Sequence, residues 1–145
     1  MEQRNSSLAI LREPFIAGMD KKLSSIMHRL WKLEGGSRQD EIFKNFIALV
    51  HENCISRREV TFYANRLRIS TKCLTGICKS VTRDSAKKII DDFAILEIKV
   101  LLQSTELTIQ EIADRLGFPD QSYLGRYFKR HEGMSPKEYQ NRYSM

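Results

Sequence analysis

Thr108-Ile109-Gln110-Glu111-Ile112-Ala113-Asp114-Arg115-Leu116-Gly117-Phe118-Pro119-Asp120-Gln121-Ser122-Tyr123 carries three local signals in succession. Thr108 and Glu111 have the spacing of a capping box, in which each side chain serves a backbone N–H that a helix start leaves unpaired. Ile112, Ala113 and Leu116 then give a short apolar helix face, and Gly117-Phe118-Pro119 breaks it. Asp120 is placed to cap a second helix that runs to His131, and Gly133 offers a left-handed ending. Beyond it, Ser135-Pro136-Lys137-Glu138 combines an N-cap, a proline at N1 and a glutamate at N3, opening a short last helix with Tyr139 and Tyr143. A helix, a tight turn behind a small alanine, and a second helix is the pattern of a helix-turn-helix, although many helical hairpins imitate it.

The same pattern occurs a second time. Ala64-Asn65-Arg66-Leu67 answers Ala113-Asp114-Arg115-Leu116 at an offset of 49, and Leu74, Cys78, Lys79 and Ser85 answer Leu124, Phe128, Lys129 and Ser135 at 50. One extra residue in the second turn accounts for the slip. Two copies in register, each followed by a serine-capped helix, specify far more than one. In the first copy, Ser56-Arg57-Arg58-Glu59 reads as a capping box opening a helix through Val60, Tyr63, Ala64 and Leu67; Ser70 caps the next.

Between the copies, Ser85 caps a helix of about 18 residues, roughly 27 Å long. Ile89, Ile90, Phe93, Leu96, Ile98, Val100, Leu101 and Leu102 make it apolar on more than one face, so it needs partners on several sides. Upstream, Met19, Leu23, Ile26, Met27, Leu30 and Leu33 recur at helical spacing, and Glu34-Gly35-Gly36-Ser37 reads as the end of that helix. Ile42, Phe43, Phe46, Ile47, Leu49 and Val50 form the broad apolar face of a following helix, giving an N-terminal helical hairpin. Its surplus apolar surface is open either to a second copy of the chain or to the linker helix. Residues 1–18 show no clean period. The fold class is therefore all-α: two helix-turn-helix units joined by a long linker helix, preceded by an N-terminal hairpin.

Composition narrows the function. The 145 residues carry 24 Lys and Arg against 18 Asp and Glu, a net charge of +6. Residues 1–52 are close to neutral, so the excess lies with the repeated units, which favours a polyanionic partner. No apolar run approaches the roughly 18 to 20 residues of a membrane span, and the start lacks the layout of a secretory signal. Cys54, Cys73 and Cys78 include no close CxxC pair, and His28, His51 and His131 have no companion at metal-ligand spacing. No glycine-rich phosphate loop, GxSxG elbow or paired His/Asp constellation is visible, so no enzyme, cofactor or metal is expected, and the chain reads as soluble and intracellular.

Thr108 to Tyr123, followed by Phe128-Lys129-Arg130 and Gly133-Met134-Ser135-Pro136-Lys137-Glu138-Tyr139, resembles the DNA-binding domain of AraC-type (arabinose-regulator family) transcription factors. The resemblance covers about residues 41–143 and is most specific from 105 to 139. It implies seven helices, sequence-specific binding of double-stranded DNA in the bacterial cytoplasm and nucleoid, and regulation of transcription through RNA polymerase. The expected layout is an N-terminal helical segment over 1–40 and a DNA-binding domain over 41–145. Within it, the first helix-turn-helix falls at about 57–81, the linker helix at about 85–103 and the second unit at about 108–131. The family often carries a separate effector or dimerisation barrel ahead of this domain. The residues before 41 are too few for one, so the chain reads as a short member or as the C-terminal part of a longer one, with a homodimer through its N-terminal helices as an option.

Candidate DNA-contacting residues follow from the helix faces. With Leu74, Ile77 and Cys78 inward, Thr71, Lys72, Thr75, Gly76 and Lys79 are left for a groove; the bland alternative is a solvated face. By resemblance Lys72, Thr75 and Gly76 sit where bases are read, and Lys79 near phosphate; the family often has a long polar side chain at the place of Gly76. The first unit is thus expected to be the poorer base reader. Arg83, at the place of Gly133, is expected to give a different turn, because a left-handed cap disfavours a side chain. In the second unit the set is Gln121, Ser122, Gly125, Arg126, Lys129 and Arg130. Gln121 suits adenine, Arg126 suits guanine O6 and N7, and Lys129 and Arg130 suit phosphates. Tyr127 and Phe128 read as core. Two rival readings stand beside this one. The family's kind of domain also resembles part of a bacterial alkylation-repair protein, but that chemistry needs a cluster of zinc-binding and methyl-accepting cysteines that three scattered ones do not supply. A helical protein-interaction module that has lost sequence-specific DNA binding draws on Gly76 and Arg83.

Overall fold

The structure is a computed structural model that describes residues 21–32, 36–104 and 106–143. Eight α-helices occur among the described residues, and no strand: α1 Lys21–Lys32, α2 Arg38–Asn53, α3 Val60–Leu67, α4 Thr71–Thr82, α5 Ala86–Ser104, α6 Ile109–Arg115, α7 Gln121–Glu132 and α8 Pro136–Tyr143. The last seven match the number that the resemblance implies. The chain divides into two compact units, one ending at Ile90 and the other beginning at Asp91, so that α5 contributes its first residues to one and the remainder to the other.

In the first unit, α2 sets the core. Phe43, Phe46, Ile47 and Val50 recur three and four apart, so they line one stripe, and all four are buried. This stripe packs on α3 and α4, with Phe46 edge-on to the Tyr63 ring at 5.6 Å. The apolar face of the hairpin is thus largely taken up inside its own unit. Leu30 of α1 is buried too, and α1 rests against α2 and α4. Met19, Leu33, Glu34 and Gly35 lie outside the described residues, as do the side chains of Leu23 and Met27.

Two local expectations are corrected. Ser56 does not cap α3. Cys54 continues the right-handed winding at the end of α2 (φ −59°, ψ −26°), and the Ser56 hydroxyl donates back to the Asn53 carbonyl at 3.4 Å. Helix α3 starts after Glu59 with no side-chain cap; instead the Tyr63 hydroxyl donates to the Arg57 carbonyl at 2.7 Å. The capping box of this unit is at Ser37, which accepts from the Asp40 amide at 3.2 Å while its own amide donates to the Asp40 carboxylate at 3.3 Å.

The second correction concerns Arg83. It caps α4 at φ 70°, ψ 0°, and its amide donates to the Lys79 carbonyl at 2.9 Å; Gly133 caps α7 at φ 81°, ψ 0°, donating to Lys129 at 2.8 Å. The turn is the same, side chain notwithstanding, because the amide–carbonyl bond and the burial of α4 hold the backbone there. The turn inside each helix pair matches as well. Arg68 (φ 60°) and Gly117 (φ 77°) occupy the left-handed position, and the amides of Ile69 and Phe118 donate to the carbonyls of Ala64 and Ala113 at 3.0 and 2.9 Å. Both alanines are fully buried, where a larger side chain would force the two helices apart.

In the second unit the Thr108 capping box and the caps at Asp120 and Ser135 form as the sequence indicates. Thr108 and Glu111 exchange their two hydrogen bonds at 3.1 Å each, Asp120 accepts from the Tyr123 amide at 2.8 Å, and Ser135 from the Glu138 amide at 3.1 Å. The core is Ile112, Ala113, Leu124, Tyr127, Phe128 and Tyr139, with Phe128 edge-on to Tyr139 at 5.4 Å. Helix α5 is tied to this unit by polar contacts that its apolar pattern did not announce. Asp91, 5% exposed, accepts from the Tyr127 hydroxyl at 2.7 Å and faces His131 Nε2 at 3.7 Å. Lys99 pairs with Glu132 at 2.8 Å, and Gln103 donates to the Tyr139 hydroxyl at 2.6 Å. Of the apolar residues expected to give α5 its several faces, Ile89, Ile90, Phe93, Ile98 and Leu102 are buried, whereas Val100 is exposed.

Candidate nucleic-acid interface

Helices α4 and α7 repeat one another in exposure, residue for residue, across 71–80 and 121–130. In α4, Leu74, Ile77 and Cys78 are buried; in α7, Leu124, Tyr127 and Phe128. The 3.6-residue period leaves the opposite face outside. On α4 that face presents Thr71, Lys72, Gly76 and Lys79 as exposed residues and Thr75 as half-buried. On α7 it presents Gln121, Ser122, Arg126, Lys129 and Arg130 as exposed and Gly125 as half-buried. Every residue named from the sequence therefore lies on one outward face of its helix, and each helix N-terminus is closed by a side chain, Ser70 or Asp120.

The chemistry of these faces is that of hydrogen-bond donors held out to solvent. Lys72, Lys79, Arg126 and Lys129 have no hydrogen-bond or ion-pair partner among the described residues, so their charge is available to a ligand. The Arg130 guanidinium lies 5.9 Å from the centre of the Tyr127 ring, a stacked position that restricts its swing. Gly76 and Gly125 have open space where a Cβ would stand, so neither glycine is demanded by packing inside the protein. Burial pushes the Cys78 thiol up to about 12, which suits a small core residue. Cys73, on the same helix, is exposed. No cluster of three metal-binding side chains occurs among the described residues.

Sequence reasoning missed two cationic residues. Arg68 and Arg83 stand at the two ends of α4, both exposed, and the sequence pattern assigns Arg83 to a turn alone. The signal was present in the repeat itself, since the second unit has glycine at both places.

Residues 63–142, more than half of the chain, match the family described as a helix-turn-helix domain. The chain is a member of the AraC-type helix-turn-helix family. Among curated AraC-type relatives, the Msm operon regulatory protein of Streptococcus mutans is 26% identical over 139 residues, 93% of this chain and 50% of that protein. The chain spans half or less of the length of the curated relatives it matches first. Among solved structures, the C-terminal domain of AraT, a response regulator from Geobacillus stearothermophilus, aligns with a TM-score of 0.66 at 26% identity, covering 75% of this chain and 91% of that one. The DNA-binding domain of AdpA, a global transcriptional factor solved in complex with a target DNA, shares the fold, with a TM-score of 0.60 at 23% identity over 74% of this chain and 94% of that one. The AraC-type match begins inside α3 and ends in α8, so it takes in both helix pairs and α5.

Proposed function

We propose that this chain is a sequence-specific, duplex-DNA-binding transcription regulator whose helices α4 and α7 enter successive major grooves. The observation that carries this reading is the duplicated outward face. Two helices with the same buried register each present polar and cationic side chains that nothing in the described protein occupies. A major groove about 12 Å wide admits such a helix and exposes a distinct donor and acceptor pattern for each base pair. In this reading Gln121 and Arg126 read bases from α7, and Lys72 and Thr75 do so from α4; Lys79, Lys129 and Arg130 hold phosphates. Thr71, Ser122, Gly76 and Gly125 complete the contact faces. The chain acts by occupying DNA and touching RNA polymerase, without catalysis of its own, in the cytoplasm. The rival module without DNA binding loses half of its basis, because the Arg83 turn matches the Gly133 turn.

Anisotropy titrations of fragments of the source genome against the whole chain, across salt, test this. A specific fragment should bind with an affinity that falls steeply as salt rises and phosphate counterions are displaced. Arg126→Ala should lower the preference for that fragment by ~1–3 kcal/mol, whereas Lys129→Ala should weaken all fragments alike. If both variants bind as the unaltered chain does, the assignment of α7 to a groove is wrong. A homodimer through the N-terminal helices is part of the same proposal; sedimentation of the free chain tests it.

A further inference from the structure

The two helix-turn-helix units share a backbone and its hydrogen bonds but not their electrostatics. Between Val60 and Arg83 the sequence holds Arg66, Arg68, Lys72, Lys79 and Arg83 and no acidic residue. Between Ile109 and Gly133, Arg115, Arg126, Lys129 and Arg130 are balanced by Glu111, Asp114, Asp120 and Glu132. At the corresponding places the first unit has Phe62, Asn65, Ser70 and Thr82, all uncharged. The capping task of Asp120 is still done. Ser70 caps α4 as Asp120 caps α7, with 3.0 Å to the Cys73 amide, and Thr82 donates to the Cys78 carbonyl at 2.8 Å. The fold accepts acids at these places in the second unit, and the first unit has none.

Two of its basic residues also occupy positions that the fold gives to glycine. Arg68 and Arg83 sit at positive φ, where a Cβ crowds the following carbonyl oxygen, and Gly117 and Gly133 fill the same positions in the second unit. Nothing inside the described protein uses these two guanidinium groups: both residues are exposed, and neither side chain has a hydrogen-bond or ion-pair partner there. Their placement suits an external one. Arg68 lies two residues before the Ser70 cap and Arg83 directly follows Thr82, so they bracket α4. Its 12 residues are about 18 Å long against a groove about 12 Å wide, so a helix lying in that groove would hold both ends within reach of the flanking sugar-phosphate strands. Guanidinium groups match phosphate oxygens in geometry and charge.

We infer that Arg68 and Arg83 are phosphate contacts at the two ends of α4, making the first unit the sequence-independent grip on the duplex and leaving base discrimination mainly to the second. This rests on the duplex-DNA reading above. Gly76, in the middle of the outward face of α4, fits the same division, since it offers no side chain to a base edge.

The test uses the whole chain and a mixed-sequence duplex of about three helical turns, titrated between about 50 and 200 mM KCl. Arg68→Gly and Arg83→Gly should each reduce the slope of log affinity against log salt by about 0.9, while raising the thermal midpoint by a few degrees as the left-handed strain is relieved. Arg68→Lys and Arg83→Lys should keep the slope. The affinity ratio between two unrelated duplexes should stay the same in all four variants. Glycine variants that melt higher yet keep the full slope would overturn the inference, as would lysine variants that lose it. Failure of the unaltered chain to bind any duplex at the lowest salt would remove the DNA reading and this inference with it; binding with unaltered slopes removes only the inference.

Discussion

Gly76 and Gly125 occupy the same turn of their helices, one register apart, and each has empty space where a Cβ would point. A glycine in a helix interior costs about 0.5–1 kcal/mol relative to alanine, so Gly76→Ala and Gly125→Ala should each stabilise the chain by roughly that amount in urea titrations. If the outward face of α7 is pressed into a groove, Gly125→Ala should also weaken binding, because the added methyl stands between backbone and ligand. A gain in stability with no change in affinity at Gly125 would place that face away from the duplex. Single residues also show where reading the sequence ran short. Cys78 and Phe128 were legible as core because burial follows from helical period. The conformation of Arg83 was not, because intrinsic preference argues against a left-handed arginine while the hydrogen bond to Lys79 and the packing of α4 enforce one. Which outward side chains touch bases is a property of a partner, and period alone cannot assign it.

The helices themselves were largely legible, since their caps and apolar stripes are local, and the exception at Ser56 shows the limit of that argument. A Ser-x-x-Glu motif caps only if the serine backbone is extended. Here the chain is still winding out of α2, and the serine hydroxyl satisfies a trailing carbonyl instead. The less conspicuous Ser37 and Asp40 form the box, because Ser37 is extended at φ −61°, ψ 165°. Stability measurements separate the two kinds of serine. Ser56→Ala should change stability by less than about 0.5 kcal/mol, whereas Ser70→Ala and Thr108→Ala should each cost about 1 kcal/mol. The second box also predicts a pH dependence. The backbone amide of Thr108, with its hydroxyl, holds the Glu111 carboxyl below its ordinary value of 4.5. Its folded value is depressed, so this contribution is present above 4.5 and is lost as pH falls through the lower folded value. The stability difference between the unaltered chain and its Glu111→Gln variant should accordingly shrink in acid, as read from urea midpoints at neutral and acidic pH.

For the molecule as a whole, the repeat at 49 to 50 residues was the most informative feature of the sequence, because two segments that solve the same burial problem must share a register. It revealed a pair of units but said nothing of the polar ties that Asp91, Lys99 and Gln103 make from α5 to the second unit. The junction of the units falls between Ile90 and Asp91, inside one continuous helix. If α4 and α7 read one site together, the helical phase of α5 must matter as much as its length. A single alanine inserted between Ile90 and Asp91 advances every later residue by about 1.5 Å and turns it by about 100°. Ala86 and Ile89 stay with the first unit, and Asp91 keeps Tyr127 with the second, so helix content and the stability of each unit should change little. Affinity for a specific duplex should then fall by at least about tenfold, the equivalent of 1.4 kcal/mol, because the two outward faces no longer meet one site in phase. Binding to an unrelated duplex depends on summed phosphate contacts, chiefly those of the first unit, and should fall by much less. Equal affinity for the specific duplex before and after the insertion would mean that one unit binds without the other, and circular dichroism of the variant excludes the trivial explanation that α5 has unwound.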